Sequence, residues 1–236
     1  TWFGNFEWLR VPMGIKGAPS WFQQQIGNVV LAGLNYDICE LYIDDVIVYG
    51  ETYEEYEANI AKVLKRFQEY GITVSPKKCK FLMSSIEYLG HVIDANGISF
   101  SRGQKEPVLN FQLPETAGKL KQFIGVAEYF HSHVRDFSVL ARPLHQKLLG
   151  YSKKAKRAKL TWTEDEIGAF RALQSAIDKC PVLFYPDPEA EIFLETDASD
   201  YGIGAYLYQK NDEGGETPVA FVSKSLQGAQ QRWSTP

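Results

Sequence analysis

The sequence predicts an α+β protein, in which helices pack on antiparallel strands. Two β-rich apolar runs flank Asp44-Asp45, which is the pattern of a hairpin. A helix is predicted after this hairpin in the sequence, because Thr52 and Glu55 form a capping box at its start and Gly71 marks its end. A second alternating stretch over 86–93 runs into an Asn-Gly turn at 96–97, which predicts a further hairpin.

The remaining elements of the first 98 residues follow from spacing. Pro19 begins a helix whose apolar positions recur three and four residues apart. The helix after Thr52 buries one face, made of Tyr56, Ile60, Val63, Leu64 and Phe67. Short strands are predicted over 72–74 and 81–82. The apolar faces of these helices are expected to be core, with no chemistry assigned to them.

The acidic pair in Tyr42-Ile43-Asp44-Asp45 has two interpretations. Asp is a common turn residue, so the pair is consistent with a plain hairpin turn. A plain turn, however, favours Asn-Gly or Asp-Gly, and two adjacent negative charges repel each other. A bound divalent metal offsets that repulsion, and Mg²⁺ is often held by one or two carboxylates together with substrate phosphates. These four residues alone leave both interpretations open.

Composition narrows the class of protein. The chain has 236 residues, 44% hydrophobic and 23% charged, as in soluble globular proteins of more than one domain. No apolar run approaches the ~18 residues that a membrane span needs. Its three cysteines are far apart and form no C-x-x-C pair, which favours a reducing compartment without a cysteine-based zinc site. His131 and His133 lack the further ligands that zinc requires.

Charge is unevenly distributed along the chain. Residues 1–100 carry a net charge of −4, residues 101–160 carry +8, and residues 161–236 carry −8. The basic middle includes five cations in the seven residues 153–159. Such a run is often only a solvated loop. A surface that binds polyanions is the alternative, and acidic ends are expected where carboxylates hold metal.

The second half of the sequence is first helical and then β-rich. Leu120, Phe123 and Ile124 begin one apolar helix face, and Leu140, Leu144 and Leu148 suggest another. Thr163 and Glu166 form a second capping box, and that helix continues until Pro181. Strands are then predicted over 192–196, 201–209 and 217–223. Ser234-Thr235-Pro236 is typical of a helix start.

Four segments resemble reverse transcriptases, and they follow one another along the chain in the same order as in that family. The acidic hairpin is similar to their catalytic hairpin, and Val11 to Gln23 resembles their nucleotide-pocket segment. Lys77-Lys78-Cys79-Lys80-Phe81 and Tyr88-Leu89-Gly90-His91-Val92 resemble the next two landmarks. Thr196-Asp197-Ala198-Ser199, followed by Gly202-Ile203-Gly204, resembles the opening of a retroelement ribonuclease H domain. The resemblance is to polyproteins of gypsy-class LTR retrotransposons and covers the whole chain.

The resemblance implies three parts. Residues 1–98 would be the reverse transcriptase palm with an antiparallel sheet, without the fingers and the first catalytic strand. Residues 99–160 would be the helical thumb or connection. Residues 161–236 would be a linker helix and the first strands of a ribonuclease H-like α/β domain, whose second carboxylate would lie on the helix expected at the end of the chain.

The resemblance also implies roles for individual residues. Asp44 and Asp45 would be catalytic and would ligate two Mg²⁺ ions, with Mn²⁺ as an alternative, and Asp197 would be the metal-binding carboxylate of the nuclease. The nucleotide and primer terminus would meet five residues: Met13, Gly14, Pro19, Tyr42 and Lys78. The primer backbone would be gripped by Leu89, Gly90 and His91, for which a core strand and turn is the alternative interpretation. The third polymerase carboxylate of the family would lie upstream of Thr1.

The function expected from this resemblance is RNA-directed DNA polymerisation by two-metal phosphoryl transfer, fused to a truncated ribonuclease H. The partners would be an RNA template, a DNA primer, their hybrid and deoxynucleoside triphosphates, without a membrane. The expected location is a cytoplasmic virus-like particle, with the nucleus as a second location, and dimerisation of the parent protein stays open. Two other hypotheses remain: a catalytically incomplete, domesticated or subunit-like fragment that binds nucleic acid without chemistry, and a translated relic with a folded core and no present role.

Overall fold

A computed structural model describes residues 2–151, 155–199, 202–226 and 230. The chain divides into two compact units, Thr1–Leu82 and Met83–Pro236, and each is described by itself. Both contain helices and antiparallel strands, so the predicted α+β class is confirmed. Within the described ranges, no helix has the length and apolar character needed to cross a bilayer.

The first unit consists of a helix, a hairpin and a second helix. Its elements are α1 (Ala18–Gln25), a π-helical turn (Ile26–Val30), β1 (Cys39–Tyr42), β2 (Asp45–Val48) and α2 (Tyr53–Glu69). Pro19 lies in the first turn of α1, where its missing N–H costs nothing. At α2, the Thr52 hydroxyl accepts a hydrogen bond from the Glu55 amide. Both predicted helices are confirmed.

The hairpin of this unit is tied to α2. The Asn59 side chain is buried and donates to the carbonyl of Tyr49, just beyond β2. A Cβ atom on Gly50 would lie 2.6 Å from the Tyr56 nitrogen, so the chain passes α2 at a distance that only glycine allows. Arg66 donates to the carbonyls of Val30 and Ala32 and so joins α2 to the end of the π-helical turn. A small apolar core fills the space between these elements.

The second unit is built around a helical core. Its helices are α3 (Arg102–Leu109), α4 (Ala117–Ala127), a 3₁₀-helix (Glu128–His133), α5 (Phe137–Leu149) and α6 (Glu164–Asp178). Phe123, Phe130 and Phe137 are fully buried at its centre. The helices predicted around Leu120, Leu140 and Phe170 are confirmed, including both hydrogen bonds of the Thr163–Glu166 capping box.

Two antiparallel sheets flank this core. The first contains β3 (Ser85–Tyr88), β4 (His91–Asp94), β5 (Gly97–Ser99) and β6 (Leu183–Phe184), in that order. The second contains β7 (Ile192–Ser199), β8 (Gly202–Lys210) and β9 (Glu216–Ser225). Tyr206, Tyr208 and Phe221 form the buried aromatic face of the second sheet.

The second sheet is fastened to the helices by polar contacts. The Arg135 guanidinium donates to Glu195 on β7 at 3.2 Å and lies over the Tyr206 ring. One ring nitrogen of His131 lies 2.9 Å from the Ser223 carbonyl oxygen on β9. The Ser223 hydroxyl also accepts from the Ser138 amide at the start of α5. These contacts come from one short stretch around the 3₁₀-helix.

Some predicted boundaries are wrong. Residues 72–74 and 81–82 form no strand, and Leu82 has a φ of 53°, which a strand does not allow. Residues 86–93 are two strands around a Leu89-Gly90 turn rather than one. The turn predicted around Asn96-Gly97 is confirmed and is held by the Asp94 carboxylate, which accepts from both amides. The two compact units divide after residue 82. That division does not test the predicted domain boundaries at 98 and 160, which stay predictions.

Candidate active site at the acidic hairpin

The acidic pair occupies the tip of the β1–β2 hairpin, as predicted. Tyr42 and Asp45 are the last paired residues, so Ile43 and Asp44 form a two-residue turn. Ile43 has a φ of 55°, whereas Asp44 does not have a positive φ. This is the pattern of a type II′ turn, whose first central position favours glycine. A β-branched residue there is strained, and such strain is concentrated at functional sites.

The two carboxylates face solvent while the strands behind them are anchored. Asp44 and Asp45 are exposed, and Tyr42 is 47% exposed, but Cys39 and Leu41 on β1 are buried in the core of the unit. Burial, together with the nearby Glu40 and Asp37 carboxylates, raises the pKa of Cys39 to about 11, so this thiol is not a nucleophile at neutral pH. The hairpin therefore presents two exposed oxygen donors on a fixed base.

The donor set suits a metal that brings other ligands with it. In the described part of the chain, no three His, Cys, Asp or Glu side chains come together as a complete metal site. Mg²⁺ usually keeps several waters and takes only one or two protein carboxylates plus substrate phosphates. Asp44 and Asp45 fit that requirement, whereas a structural metal cage would need more donors.

The other predicted nucleotide-pocket residues belong to the same unit but make no described polar contact with the acidic pair. The Met13 side chain is fully exposed, Gly14 has a φ of 89°, and Pro19 is exposed on α1. Lys78 is exposed in a turn in which its amide donates to the Ser75 carbonyl. Their roles toward a nucleotide stay predictions.

The predicted primer-contact residues form the β3–β4 turn of the second unit. Leu89 and Gly90 have φ values of 50° and 76°, so both central positions are left-handed, as in a type I′ turn. The Tyr129 hydroxyl donates to the Leu89 carbonyl at 2.7 Å. The Gln104 side chain donates to the Gly90 carbonyl. Side chains from two helical segments thus hold both carbonyls of the turn.

His91 differs from its two neighbours, because its ring packs inward. Its ring lies 4.8 Å from that of Phe100 and 5.6 Å from those of Tyr129 and His133. Burial lowers its pKa. Its Nδ1 atom is buried, and among the described residues it has no hydrogen-bond partner. The structure therefore gives His91 a packing role, while its contact with a primer stays a prediction.

Asp197 lies on a strand rather than in the turn that follows it. It pairs with Gly204 on β8, and its side chain is exposed. Glu195, two residues earlier and on the same face, is bound by Arg135 and by the Tyr208 hydroxyl at 3.2 Å. Both side chains are exposed, and Glu195 is engaged in holding the sheet to the helices.

Part of the predicted basic surface lies at the start of α4. The Ala117 and Gly118 amides donate to the carbonyls of Ala158 and Lys156, so the 155–160 segment folds back onto that helix. These two segments carry five exposed cations, which are called the α4 basic patch: Lys119, Lys121, Lys156, Arg157 and Lys159. Lys119 also lies 3.7 Å from the Glu115 carboxylate. Lys153 and Lys154 lie outside the described residues.

Three side chains that support these sites could not be predicted from local sequence patterns. Asn59 holds the hairpin, and Tyr129 and Gln104 hold the Leu89-Gly90 turn. Each acts on a carbonyl at least ten residues away in the chain, and no local pattern marks such a contact. Only the glycine at position 90 pointed to an unusual backbone.

Comparisons with known proteins identify the family. Residues 1–93 match the family model of reverse transcriptase (RNA-dependent DNA polymerase). Residues 162–236 match the RNase H-like domain found in reverse transcriptase. The first segment therefore belongs to the reverse transcriptase family, and the second to the RNase H-like domains that accompany it.

Relatives narrow the class to retrotransposons. The chain is 30% identical, over 98% of its length, to the retrovirus-related Pol polyprotein from transposon opus of Drosophila melanogaster, of which it covers 23%. It is 29% identical to the corresponding polyprotein from transposon gypsy of the same fly, covering 22% of it. It is 31% identical to the transposon Tf2-3 polyprotein of Schizosaccharomyces pombe, covering 17% of it. The chain thus corresponds to the reverse transcriptase and RNase H-like region of retrotransposon Pol polyproteins and spans less than a quarter of their length.

Solved structures show the same fold. A foamy viral protease-reverse transcriptase in complex with an RNA/DNA hybrid matches 96% of this chain with a TM-score of 0.78 at 23% identity, and the chain covers 30% of it. A dRH form of the foamy viral protein, in complex with double-stranded DNA, matches with the same TM-score and identity, and the chain covers 38% of it.

Proposed function

We propose that the parent protein is an RNA-directed DNA polymerase and that Asp44 and Asp45 are its catalytic carboxylates in this chain. The observation that carries the proposal is the position of both residues at the strained, solvent-facing tip of a hairpin, inside the segment that matches the reverse transcriptase family. Exposure allows the carboxylates to meet a metal–nucleotide complex, and the anchored strands fix where they meet it.

In this mechanism the protein residues contribute by positioning the metal-binding oxygens and the primer terminus. Asp44 and Asp45 would hold divalent ions through their carboxylate oxygens, and the buried face of β1 anchors the strand that carries them. The bound ions supply charge neutralisation at the primer hydroxyl and at the phosphates of the nucleotide. Tyr42, which is the last residue of β1 and pairs with Asp45, borders the primer terminus. Mg²⁺ is the proposed ion, and Mn²⁺ the alternative.

The proposed nucleic-acid partner is an RNA–DNA hybrid formed by a template and a primer. Two features support this: the α4 basic patch, and the folds of proteins solved with an RNA/DNA hybrid and with double-stranded DNA. Deoxynucleoside triphosphates are the proposed small substrates, and Met13, Gly14, Pro19 and Lys78 the proposed residues around them. The proposed location is a cytoplasmic virus-like particle.

A second candidate function is nucleic-acid binding without chemistry by this chain. Among the described residues, no group of three metal donors surrounds the exposed Asp197 carboxylate on the nuclease-like sheet. Hydrolysis with two metal ions needs more than one carboxylate. We therefore expect no cleavage of the RNA strand of a hybrid by the 236-residue chain. Cleavage that Asp197→Asn abolishes would contradict this.

The metal site is tested by Mn²⁺ titration followed by NMR. Paramagnetic broadening of backbone amide signals should centre on residues 43–46 and should disappear in Asp44→Asn with Asp45→Asn. Asp212→Asn with Glu213→Gln, a pair of exposed acidic residues between β8 and β9, is the matched control and should leave the broadening in place. Broadening that is absent from the hairpin, or that survives removal of both carboxylates, would contradict the assignment.

A further inference from the structure

We infer that Tyr129 and Gln104 are positioning residues, which hold the Leu89-Gly90 turn in a preformed shape for contact with a primer-strand phosphate. The inference rests on the proposed function, because it takes a hybrid as the ligand. It adds two residues outside the segments that resemble reverse transcriptase landmarks. Both come from the helical core of the second unit, and each reaches a different carbonyl of the turn.

The turn does not hold its shape by itself. Leu89 has a φ of 50°, a conformation that is disfavoured for residues other than glycine, asparagine and aspartate and that needs support from the surroundings. Asn-Gly is the usual sequence for two left-handed central positions, so Leu89 is a poor choice for the turn alone. The Leu89 side chain is nevertheless 42% exposed, and burial therefore explains little of its presence. Surrounding contacts must hold the strained backbone.

Tyr129 and Gln104 supply those contacts and are themselves fixed. The Tyr129 ring packs against the rings of His91, Phe100 and Phe130, which aims its hydroxyl at the Leu89 carbonyl. The Gln104 side chain accepts from the Ser101 amide in a capping box at the start of α3, and its NH₂ group also donates to Glu87 at 2.8 Å. Both side chains are therefore held toward the turn.

The fit around Gly90 is tight enough to exclude any side chain. A Cβ atom at this position would overlap the Tyr129 hydroxyl oxygen. The Tyr129 hydroxyl and the turn backbone therefore approach each other as closely as glycine permits. Such close approach fixes the turn with respect to the helical core within a narrow range.

The chemistry of the held turn suits a phosphate. Both carbonyl oxygens, which would repel an anion, accept hydrogen bonds from protein side chains. Among the described residues, the Leu89 and Gly90 amides donate no hydrogen bond to another protein group. Two successive amides in a left-handed turn are suited to an anionic oxygen. The exposed Leu89 side chain stands beside them.

The test is site-specific cross-linking to a bound hybrid. Leu89→Cys is made with Cys79→Ser and Cys180→Ser, and the hybrid carries a thiol-bearing phosphate at one of several positions near the primer 3′ end. With Tyr129 intact, disulfide formation should favour one phosphate position. At a saturating concentration of hybrid, Tyr129→Phe should lower that preference about fivefold. This factor corresponds to the ~1 kcal/mol that one hydrogen bond contributes. Gln104→Met should act in the same direction.

Matched controls separate positioning from general stability. Tyr53→Phe removes the hydroxyl of an exposed tyrosine on α2 and should leave the cross-link pattern unchanged. If Tyr129→Phe lowers the unfolding midpoint but keeps the same pattern, the residue is only structural and the inference is wrong. If the hybrid binds but Leu89→Cys shows no preferred phosphate, the turn is not a contact, and the inference fails while hybrid binding stands. If no variant binds hybrid, the proposed function fails, and the inference with it.

Discussion

Two residues at the candidate sites have backbones that their side chains disfavour. Ile43 carries a positive φ beside Asp44, and Leu89 carries one beside Gly90. Five non-glycine residues of the described chain have a positive φ, and two of them are these. Each is held by contacts from outside its own hairpin: Asn59 supports the first hairpin, and Tyr129 the second. Strain at both turns is therefore part of how the fold presents them.

Gly90→Ala is expected to destabilise the second unit by roughly 2 kcal/mol or more, because the new methyl group meets the Tyr129 hydroxyl and the φ of 76° disfavours any side chain. Combining it with Tyr129→Phe should cost less than the sum of the two changes, since the phenylalanine removes the atom that clashes. Urea unfolding measures the cycle. Gly125→Ala, at an open site within α4, should instead be neutral or stabilising. Strict additivity would contradict the close approach of Tyr129 to Gly90.

His133 should make the second unit sensitive to acid. It is buried beside the Ile98 carbonyl, His91 and Lys105, and burial lowers its pKa from 6.5 to about 4. Between these values the unfolded chain binds a proton that the folded protein does not. The free energy of unfolding should therefore fall as pH drops from 6.5 toward 4, by up to about 3 kcal/mol.

The measurement for His133 is the free energy of unfolding at several pH values. His133→Gln should flatten its pH dependence in this range, whereas His145→Gln, at an exposed position on α5, should keep the wild-type slope. His91, whose pKa is also lowered by burial, contributes in the same direction and leaves a residual slope. Equal slopes in the two variants would contradict the prediction.

At the scale of elements, the Gln174 side chain caps the C-terminus of α3, a helix that was not predicted from the sequence. The last carbonyls of α3 have no partner within the helix, and the Gln174 side chain on α6 donates to those of Val108 and Leu109, and to that of Phe111 beyond it. We expect Gln174→Met to cost about 1–3 kcal/mol, because the partly buried Leu109 and Phe111 carbonyls lose their side-chain donor, whereas the Val108 carbonyl keeps the Phe111 amide. Gln122→Met, on the exposed side of α4, should change stability by less than about 0.5 kcal/mol. Equal effects of the two changes on urea unfolding would contradict this.

Elements with strong local signals were predictable. The N-cap at Thr52 and the capping box at Thr163 located the first residues of α2 and α6, and apolar periodicity located α4 and α5; the Glu55 carboxylate accepts from the Glu51 amide rather than from that of Thr52, so the predicted box at Thr52 is only half formed. The α3 helix was missed because Pro107 lies inside it and its C-terminus depends on Gln174. The β6 strand has only two residues, and pairing with β5 across a long sequence separation is what defines it.

The same distinction applies to the sites. The position of Asp44 and Asp45 could be predicted, because the apolar runs on both sides of the pair specify a hairpin. The Leu89-Gly90 turn was only an alternative interpretation and was not located between two strands, because leucine is unusual in a two-residue hairpin. Its support by Tyr129 and Gln104 depends on tertiary packing. Periodicity does not report such contacts.

At the scale of the whole molecule, the uneven charge should govern nucleic-acid affinity. Lysine and arginine that contact phosphates release counterions, so binding should weaken steeply with salt. Changing Lys156, Arg157 and Lys159 to Gln should lower the slope of log K against log salt by about 1 for each phosphate that the variant no longer neutralises. The control changes three other exposed lysines of the same unit, Lys179, Lys210 and Lys224. Salt-independent binding, or an equal decrease in both triple variants, would contradict a role for the α4 basic patch.

The central proposal is that Asp44 and Asp45 are catalytic carboxylates for DNA synthesis by the parent protein. Primer extension on an RNA template with Mg²⁺ or Mn²⁺ tests it most directly. The assay compares the 236-residue chain, a chain extended upstream, and the extended chain with Asp44→Asn. The extended chain should elongate the primer. The 236-residue chain should elongate it poorly or not at all, and Asp44→Asn should abolish elongation while hybrid binding and the unfolding midpoint stay unchanged. Full activity of the Asp44→Asn variant, or no elongation by the extended chain, would contradict the account.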